Sequence, residues 1–174
     1  MILRATTVTL GFAAAAVMLC GCLAPAPEPT PTPTAVFASE DEAFAAAEET
    51  YRAYVDAANA RREDPDSEPD PQSFLVGDAL ERDVDSRREL AELGLQLVGS
   101  SSVTDMSFIS ADVSTGDVVI QACYDSGGAR VIDKTGVDVT PADRDATVMI
   151  SIESVRMGDR QIIESMSPVE GDPC

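Results

Sequence analysis

The chain has 174 residues, of which 44% are hydrophobic, so it is long enough for one ordinary domain with an apolar core. Its 31 Asp and Glu residues outnumber its 12 Lys and Arg residues, and the formal net charge of -19 excludes nucleic acid as a partner because such a surface repels it. The chain contains no His, which excludes chemistry that needs a histidine base or a histidine metal ligand.

The first 21 residues are predicted to be a signal peptide. Arg4 precedes an apolar run, residues 8–19, that is shorter than the roughly 20 residues of a membrane-spanning helix. The next residues, LCGC at positions 19–22, resemble the lipobox of bacterial lipoproteins, in which a diacylglyceryl group is attached to the cysteine and the chain is cut before it. We therefore expect a lipid on Cys22 that holds the protein on the outer face of the cell membrane. The alternative is an ordinary secretory signal.

Residues 22–38 are predicted to carry the lipid and form a tether. Residues 23–38 read LAPAPEPTPTPTAVFA, and the alternating prolines disfavour helix and central strand and favour polyproline II. At about 3.1 Å per residue this segment reaches roughly 50 Å from the membrane. The sequence thus predicts a stalk outside the core, followed by one folded domain, residues 39–174.

A first helix is predicted to begin at a capping box formed by Ser39 and Glu42 and to run to about Arg62. The apolar residues at helical spacing are Phe44, Ala47, Tyr51, Tyr54, Val55 and Ala58. After this helix, residues 63–72 read EDPDSEPDPQ, which predicts a solvated acidic loop that buries nothing. A calcium loop would need Gly and Glu where this chain has Pro69 and Leu75, so no calcium site is expected.

A second helical stretch is predicted over residues 73–93, with Gly94 as its C-terminal cap and a possible break at Gly77-Asp78. Its apolar residues are Leu75, Val76, Ala79, Leu80, Val84, Leu90 and Leu93. Beyond Gly94 the hydrophobic period becomes alternating, which predicts strands over residues 102–112, 118–124, 129–132, 137–139, 147–156 and 161–166. Helices followed by an antiparallel meander indicate an α+β fold, with the N-terminal helices packed on a curved antiparallel sheet.

The run VIQACYDSGGARVIDKTGVDV, residues 119–139, is followed by a long alternating strand, a Gly hairpin and Cys174. This pattern resembles a family of actinobacterial surface lipoproteins whose folded part is similar to the cone-shaped nuclear-transport-factor-2-like fold. These proteins often carry Trp after the final hairpin, where this chain has Gln161-Ile162. The resemblance implies a cone-shaped fold and a surface location, and it implies no activity and no catalytic residues.

The four cysteines predict one disulfide. Cys20 leaves with the signal peptide and Cys22 carries the lipid, so Cys123 and Cys174 remain in an oxidising compartment and should pair. A nucleophilic cysteine is the alternative, but no His is present to activate it. The neighbours of Cys123 in its strand are predicted to point to the core, and the tail from Ser167 to Cys174 is predicted to lie across the sheet without structure of its own.

Catalysis in such a fold could use an Asp as the base and a Tyr hydroxyl to stabilise an oxyanion. The candidates are Tyr51, Tyr54 and Tyr124 with Asp56 or Asp105, although their spacing does not distinguish them from core tyrosines and surface aspartates. No cofactor motif is present, so no cofactor and no metal site are predicted.

Three functions therefore remain open. The favoured one is a non-catalytic surface domain that binds a protein or an envelope component. The others are a binder of a small apolar ligand inside the cone, and a carboxylate-type isomerase or hydrolase. A filled cone favours the first, an open apolar cone the second, and an open cone with a buried Asp-Tyr pair the third.

Overall fold

The computed structural model describes residues 35–171 and residue 174. The predicted signal peptide, the lipid site at Cys22 and most of the tether lie outside these residues. The helices are α1, Glu40–Glu63, and α2, Gly77–Leu93, with a short 3-10 helix, Pro71–Phe74, between them. The strands are β1 (Leu95–Gly99), β2 (Ser102–Asp112), β3 (Asp117–Asp125), β4 (Ala129–Asp133), β5 (Thr147–Met157) and β6 (Arg160–Pro168). Within residues 35–171, no helix combines the length and hydropathy needed to cross a membrane.

The predicted α+β fold is confirmed: two helices pack on a curved antiparallel sheet. The sheet has the strand order β2-β3-β5-β6, and α1 packs against β2, β3 and β6. Inward-facing residues alternate along β3, where Val118, Ile120 and Ala122 belong to the core. The prediction that Ala122 and Tyr124 point to the core is also confirmed, because both belong to or pack against this cluster.

The prediction of one continuous meander is wrong. β4 is not part of the main sheet. It pairs with β1 in a separate two-stranded sheet, in which Leu97 lies opposite Val131. The strand β1 was not predicted from the sequence. Residues 137–139 are not a strand; only Asp138 forms an isolated bridge, to Ile132. The Asp133 carboxylate explains this, since it accepts hydrogen bonds from the N–H groups of Thr135 (2.8 Å) and Val137 (3.0 Å) and holds the segment in a turn.

The capping box at the start of α1 is present in a shifted form. The Ser39 hydroxyl accepts from the Glu42 N–H at 3.2 Å, as predicted. The Glu42 carboxylate accepts from the N–H of Ala38 at 2.7 Å, one residue before the cap. The Ser39 side chain thus satisfies an N–H of the first helical turn, and the Glu42 side chain satisfies an N–H of the segment that precedes the helix.

The second helix begins later than predicted. Leu75 is extended and forms a parallel bridge with Ile163, so α2 starts at Gly77, while Gly94 ends it in the left-handed conformation (φ 66°) as predicted. The predicted apolar stripe is not buried throughout. Val84 is 41% exposed and Leu93 is 64% exposed, whereas Ala79 is buried and Leu80 and Leu90 are half-buried.

Two segments predicted to lie outside the core contribute to it. Phe37, assigned to the tether, is only 4% exposed, and its N–H and that of Val36 both donate to the Val113 carbonyl (3.1 and 2.8 Å). In the acidic loop, Pro71 is fully buried. The core therefore includes part of the segment predicted to be a tether, and the acidic loop does bury surface, because each segment carries one apolar ring that packs in the core.

Cys123 and Cys174 form the predicted disulfide, with their Cα atoms 5.5 Å apart. The tail is more ordered than predicted, because β6 continues to Pro168 and the Val169 N–H donates to the Met149 carbonyl at 2.9 Å. The disulfide thus joins the exposed C-terminal residue to a cysteine that is 2% exposed in a central strand.

Candidate binding groove

The structure does not assemble the predicted Asp-Tyr pair. Tyr51 lies in the middle of the core with 1% exposure, and this burial raises the pKa of its hydroxyl. Asp56 and Asp105 are exposed, and neither forms a hydrogen bond to a tyrosine in the described part of the chain. The candidate aspartates and tyrosines therefore form no hydrogen-bonded acid-base pair among the described residues, and Tyr51 fills space between helix and sheet.

A groove of about 360 Å³ lies instead at the side of the fold, where α1, α2 and β1 meet. The apolar part of its lining, here called the apolar wall, is formed by Ala58, Leu90, Leu95 and Leu97. The lining also includes Tyr54 and four charged residues, which are Arg61, Arg62, Asp83 and Arg87. A mainly apolar lining with a few polar groups is the usual composition of a small-ligand site.

Two of the three arginines in the groove have carboxylate partners. The Arg61 Nη1 donates to Asp70 Oδ1 at 2.6 Å, and its Nη2 lies 3.7 Å from Asp83 Oδ2. The Arg87 Nη1 lies 3.8 Å from the same Asp83 oxygen. That oxygen also accepts from Gln72 Nε2 at 2.9 Å, so Asp83 is oriented by three neighbours.

Arg62 has only neutral partners. Its Nη1 donates to Asn59 Oδ1 (3.0 Å) and Ser101 Oγ (2.9 Å), and its Nη2 lies 3.4 Å from the Tyr124 hydroxyl. Tyr124 in turn donates to Ser101 Oγ at 2.8 Å, and Asn59 Nδ2 donates to the Ser101 carbonyl at 2.8 Å. Among the described residues, no carboxylate lies within 4.0 Å of the Arg62 guanidinium. Arg62 is therefore a half-buried residue that lines the groove and whose guanidinium is held by neutral partners, with no carboxylate within 4.0 Å among the described residues.

Tyr54 adds a hydroxyl to the lining of the groove. Burial, and then the charge of Asp83, raise the pKa of Tyr54 to about 12, while Arg62 and Arg61 act in the opposite direction. Its hydroxyl makes no hydrogen bond to any residue that the structure describes. At neutral pH Tyr54 is therefore a neutral side chain with a donor available in the groove.

The sequence placed Tyr54 on the buried stripe of α1 but missed the groove. Its residues come from α1, α2 and β1, and no motif links these segments. The one local signal is the pair Arg61-Arg62 at the end of an apolar helical stripe in a chain with few basic residues. Within residues 35–171, no group of three or more metal-ligating side chains is present.

Comparisons with known proteins find similarity only at the level of solved structures. No family model matches the chain, and no curated protein matches it. The intermembrane space region of the chloroplast protein ARC6 is 18% identical, with a TM-score of 0.49, over 71% of this chain and 93% of that one. The protein Aln2 from a Streptomyces species is 13% identical, with a TM-score of 0.44, over 72% of this chain and 88% of that one.

Proposed function

We propose that this chain is a lipid-anchored extracytoplasmic lipoprotein whose folded part is a non-catalytic binding domain that uses the groove between α1, α2 and β1. One observation carries the proposal: the space between the helices and the sheet is filled. Tyr51, Ile120 and Ile163 occupy it with exposures of 1%, 0% and 0%, so an internal ligand site or a buried acid-base pair has no room there. The groove, with its apolar wall and its fixed charges, is the concave surface that we assign to binding.

The anchor and the location are supported by the residues at 19–22 and by the resemblance to actinobacterial lipoproteins, which also supports a cone-shaped fold. Metabolic labelling with a fatty acid tests the anchor. We expect label on the wild-type chain and on Cys20→Ser, and none on Cys22→Ser, which should leave the membrane or accumulate as a precursor. Undiminished label on Cys22→Ser would show that the lipid is attached elsewhere.

The binding role is tested by blocking the groove. Ala91 lines it and is exposed, so Ala91→Trp should fill the groove without disturbing the core, while Glu92→Trp places the same side chain next to it outside the groove. A photoreactive residue at Ser86, another lining position, reports what occupies the groove when intact cells are irradiated.

We expect a cross-linked species of larger mass, detected by gel and mass spectrometry, in the chain that carries only the photoreactive residue and in the chain that also carries Glu92→Trp. Ala91→Trp should lose it. The same species in Ala91→Trp would mean that binding does not use the groove, and the absence of any species in all three chains would contradict a binding role.

A further inference from the structure

We propose that the groove binds a small amphiphile with one anionic head group, placed at Arg62 and Tyr54, and an apolar body that lies on the wall formed by Leu90, Leu95 and Leu97. This inference rests on the proposed function and names the class of ligand. It follows from how charge, hydrogen-bond donors and apolar surface are distributed in the groove.

The first step is the charge on Arg62. A half-buried guanidinium is costly unless an anion or good acceptors compensate for its lost hydration. Asn59, Ser101 and Tyr124 supply neutral acceptors and hold the group in one orientation, but its Nε–H has no acceptor among the described residues. In a chain with a net charge of -19, a positive group with no described carboxylate within 4.0 Å is suited to an anion that comes from outside.

The second step is the number of charges. The charged residues that line the groove are Arg61, Arg62, Arg87 and Asp83, and Asp70 pairs with Arg61 from outside the lining. Three positive charges against two negative ones leave one uncompensated. Because the rest of the protein is strongly acidic, a polyanion would be repelled, whereas a ligand with a single negative charge would be neutralised.

The third step concerns the remaining contacts. The Tyr54 hydroxyl is an unused donor beside Arg62 and can complete the binding of a carboxylate or sulfonate oxygen. The leucine and alanine side chains of the apolar wall would bury an apolar body. The volume of about 360 Å³ is at the lower end of the range of small-molecule sites, which runs from about 300 to 1,000 Å³.

Two fluorescent probes with the same type of aromatic body test this assignment. 1-Anilinonaphthalene-8-sulfonate carries one negative charge, and N-phenyl-1-naphthylamine carries none. Both are titrated into a chain that begins at residue 23, after the predicted signal peptide and the predicted lipid site, with the disulfide intact. We expect Arg62→Gln to weaken binding of the sulfonate about tenfold, as for loss of a charged hydrogen bond, and to leave binding of the neutral probe unchanged. Tyr54→Phe should weaken binding of the sulfonate probe by a smaller factor. Added salt should weaken binding of the sulfonate probe and leave binding of the neutral probe unchanged.

Arg88→Gln is the matched control, because it removes the same charge from an exposed position on α2 outside this groove and should change neither probe. Arg62→Lys keeps the charge and should recover part of the sulfonate affinity. Melting temperatures identify variants that do not fold; if Arg62→Gln is one of them, Tyr54→Phe and the salt dependence decide.

Equal losses for both probes in Arg62→Gln, or sulfonate binding as tight as in the wild type, would overturn the anionic assignment. Ala91→Trp separates this failure from a failure of the proposed function. If that variant blocks both probes, the groove remains a binding site whose ligand is of another class. If it blocks neither, the groove itself is not the site.

Discussion

Removing the disulfide should lower the free energy of unfolding substantially and leave the fold in place. Cys123 and Cys174 are 51 residues apart in sequence, and closing a loop of that length contributes about 4 kcal/mol in the chain-entropy model. The fold should persist because, in the described part of the chain, neither the core cluster nor the residues packed against it extend past Met166. The Val169 N–H bond to Met149 would still hold the start of the tail.

Cys174→Ser is the cleaner of the two possible substitutions. Cys174 is exposed, so serine changes no packing there, and Cys123 remains as a small buried thiol. Cys123→Ala removes buried volume as well and should cost more. Urea unfolding followed by circular dichroism measures both, with and without a reductant.

We expect the wild type to lose stability on reduction and to match Cys174→Ser, which the reductant should not affect. A Cys174→Ser chain as stable as the oxidised wild type would refute the argument from loop closure. A chain that no longer folds would show that the tail contributes to the core.

Further predictions concern packing and titration. Ile163→Ala, at 0% exposure, should cost about 2–5 kcal/mol, whereas Val84→Ala, at 41% exposure, should cost under about 0.5 kcal/mol; equal urea midpoints would contradict the packing described above. Because the folded-state pKa of Tyr54 is raised to about 12, its contribution to stability is present below pH 10 and is lost as the pH rises toward 12; Tyr54→Phe should remove that tyrosinate absorbance step. Hydrogen bonds from Ser114 lower the pKa of Asp112, so its contribution is lost as the pH falls through that value; Ser114→Ala should raise this pKa in a carboxylate NMR titration, and an unchanged value would disprove the cause.

The sequence predicted those parts of the fold that have a local cause. The Ser39 cap predicted the start of α1 and Gly94 predicted the end of α2, because each acts within one turn of helix. The repeated helical spacing of apolar residues predicted the body of α1. The long strands were found because their alternation extends over many residues. β1 was missed because its five residues directly follow the helix cap and form a strand only through pairing with β4.

The groove could not be predicted in the same way. Arg62 lies at the end of α1, and its hydrogen bonds depend on Ser101 and Tyr124. Ser101 lies in the turn between β1 and β2, and Tyr124 lies in β3, so only tertiary packing brings them to Arg62. Polar residues of these types are ordinary in loops and strand ends, so the sequence marks none of them as part of a site. The same limit explains Phe37, which follows a run of prolines and was assigned to the tether although it packs in the core.

The covalent link between Cys123 and Cys174 also determines how the molecule responds to mechanical load. A pull applied between Ala35 and Cys174 would run along the chain to Cys123 and cross the disulfide directly to Cys174. The intervening segment, which includes β4, β5 and β6, would carry no tension. With 51 residues between the two cysteines and about 3.4 Å per extended residue, roughly 170 Å of contour length is withheld from stretching until the bond is reduced.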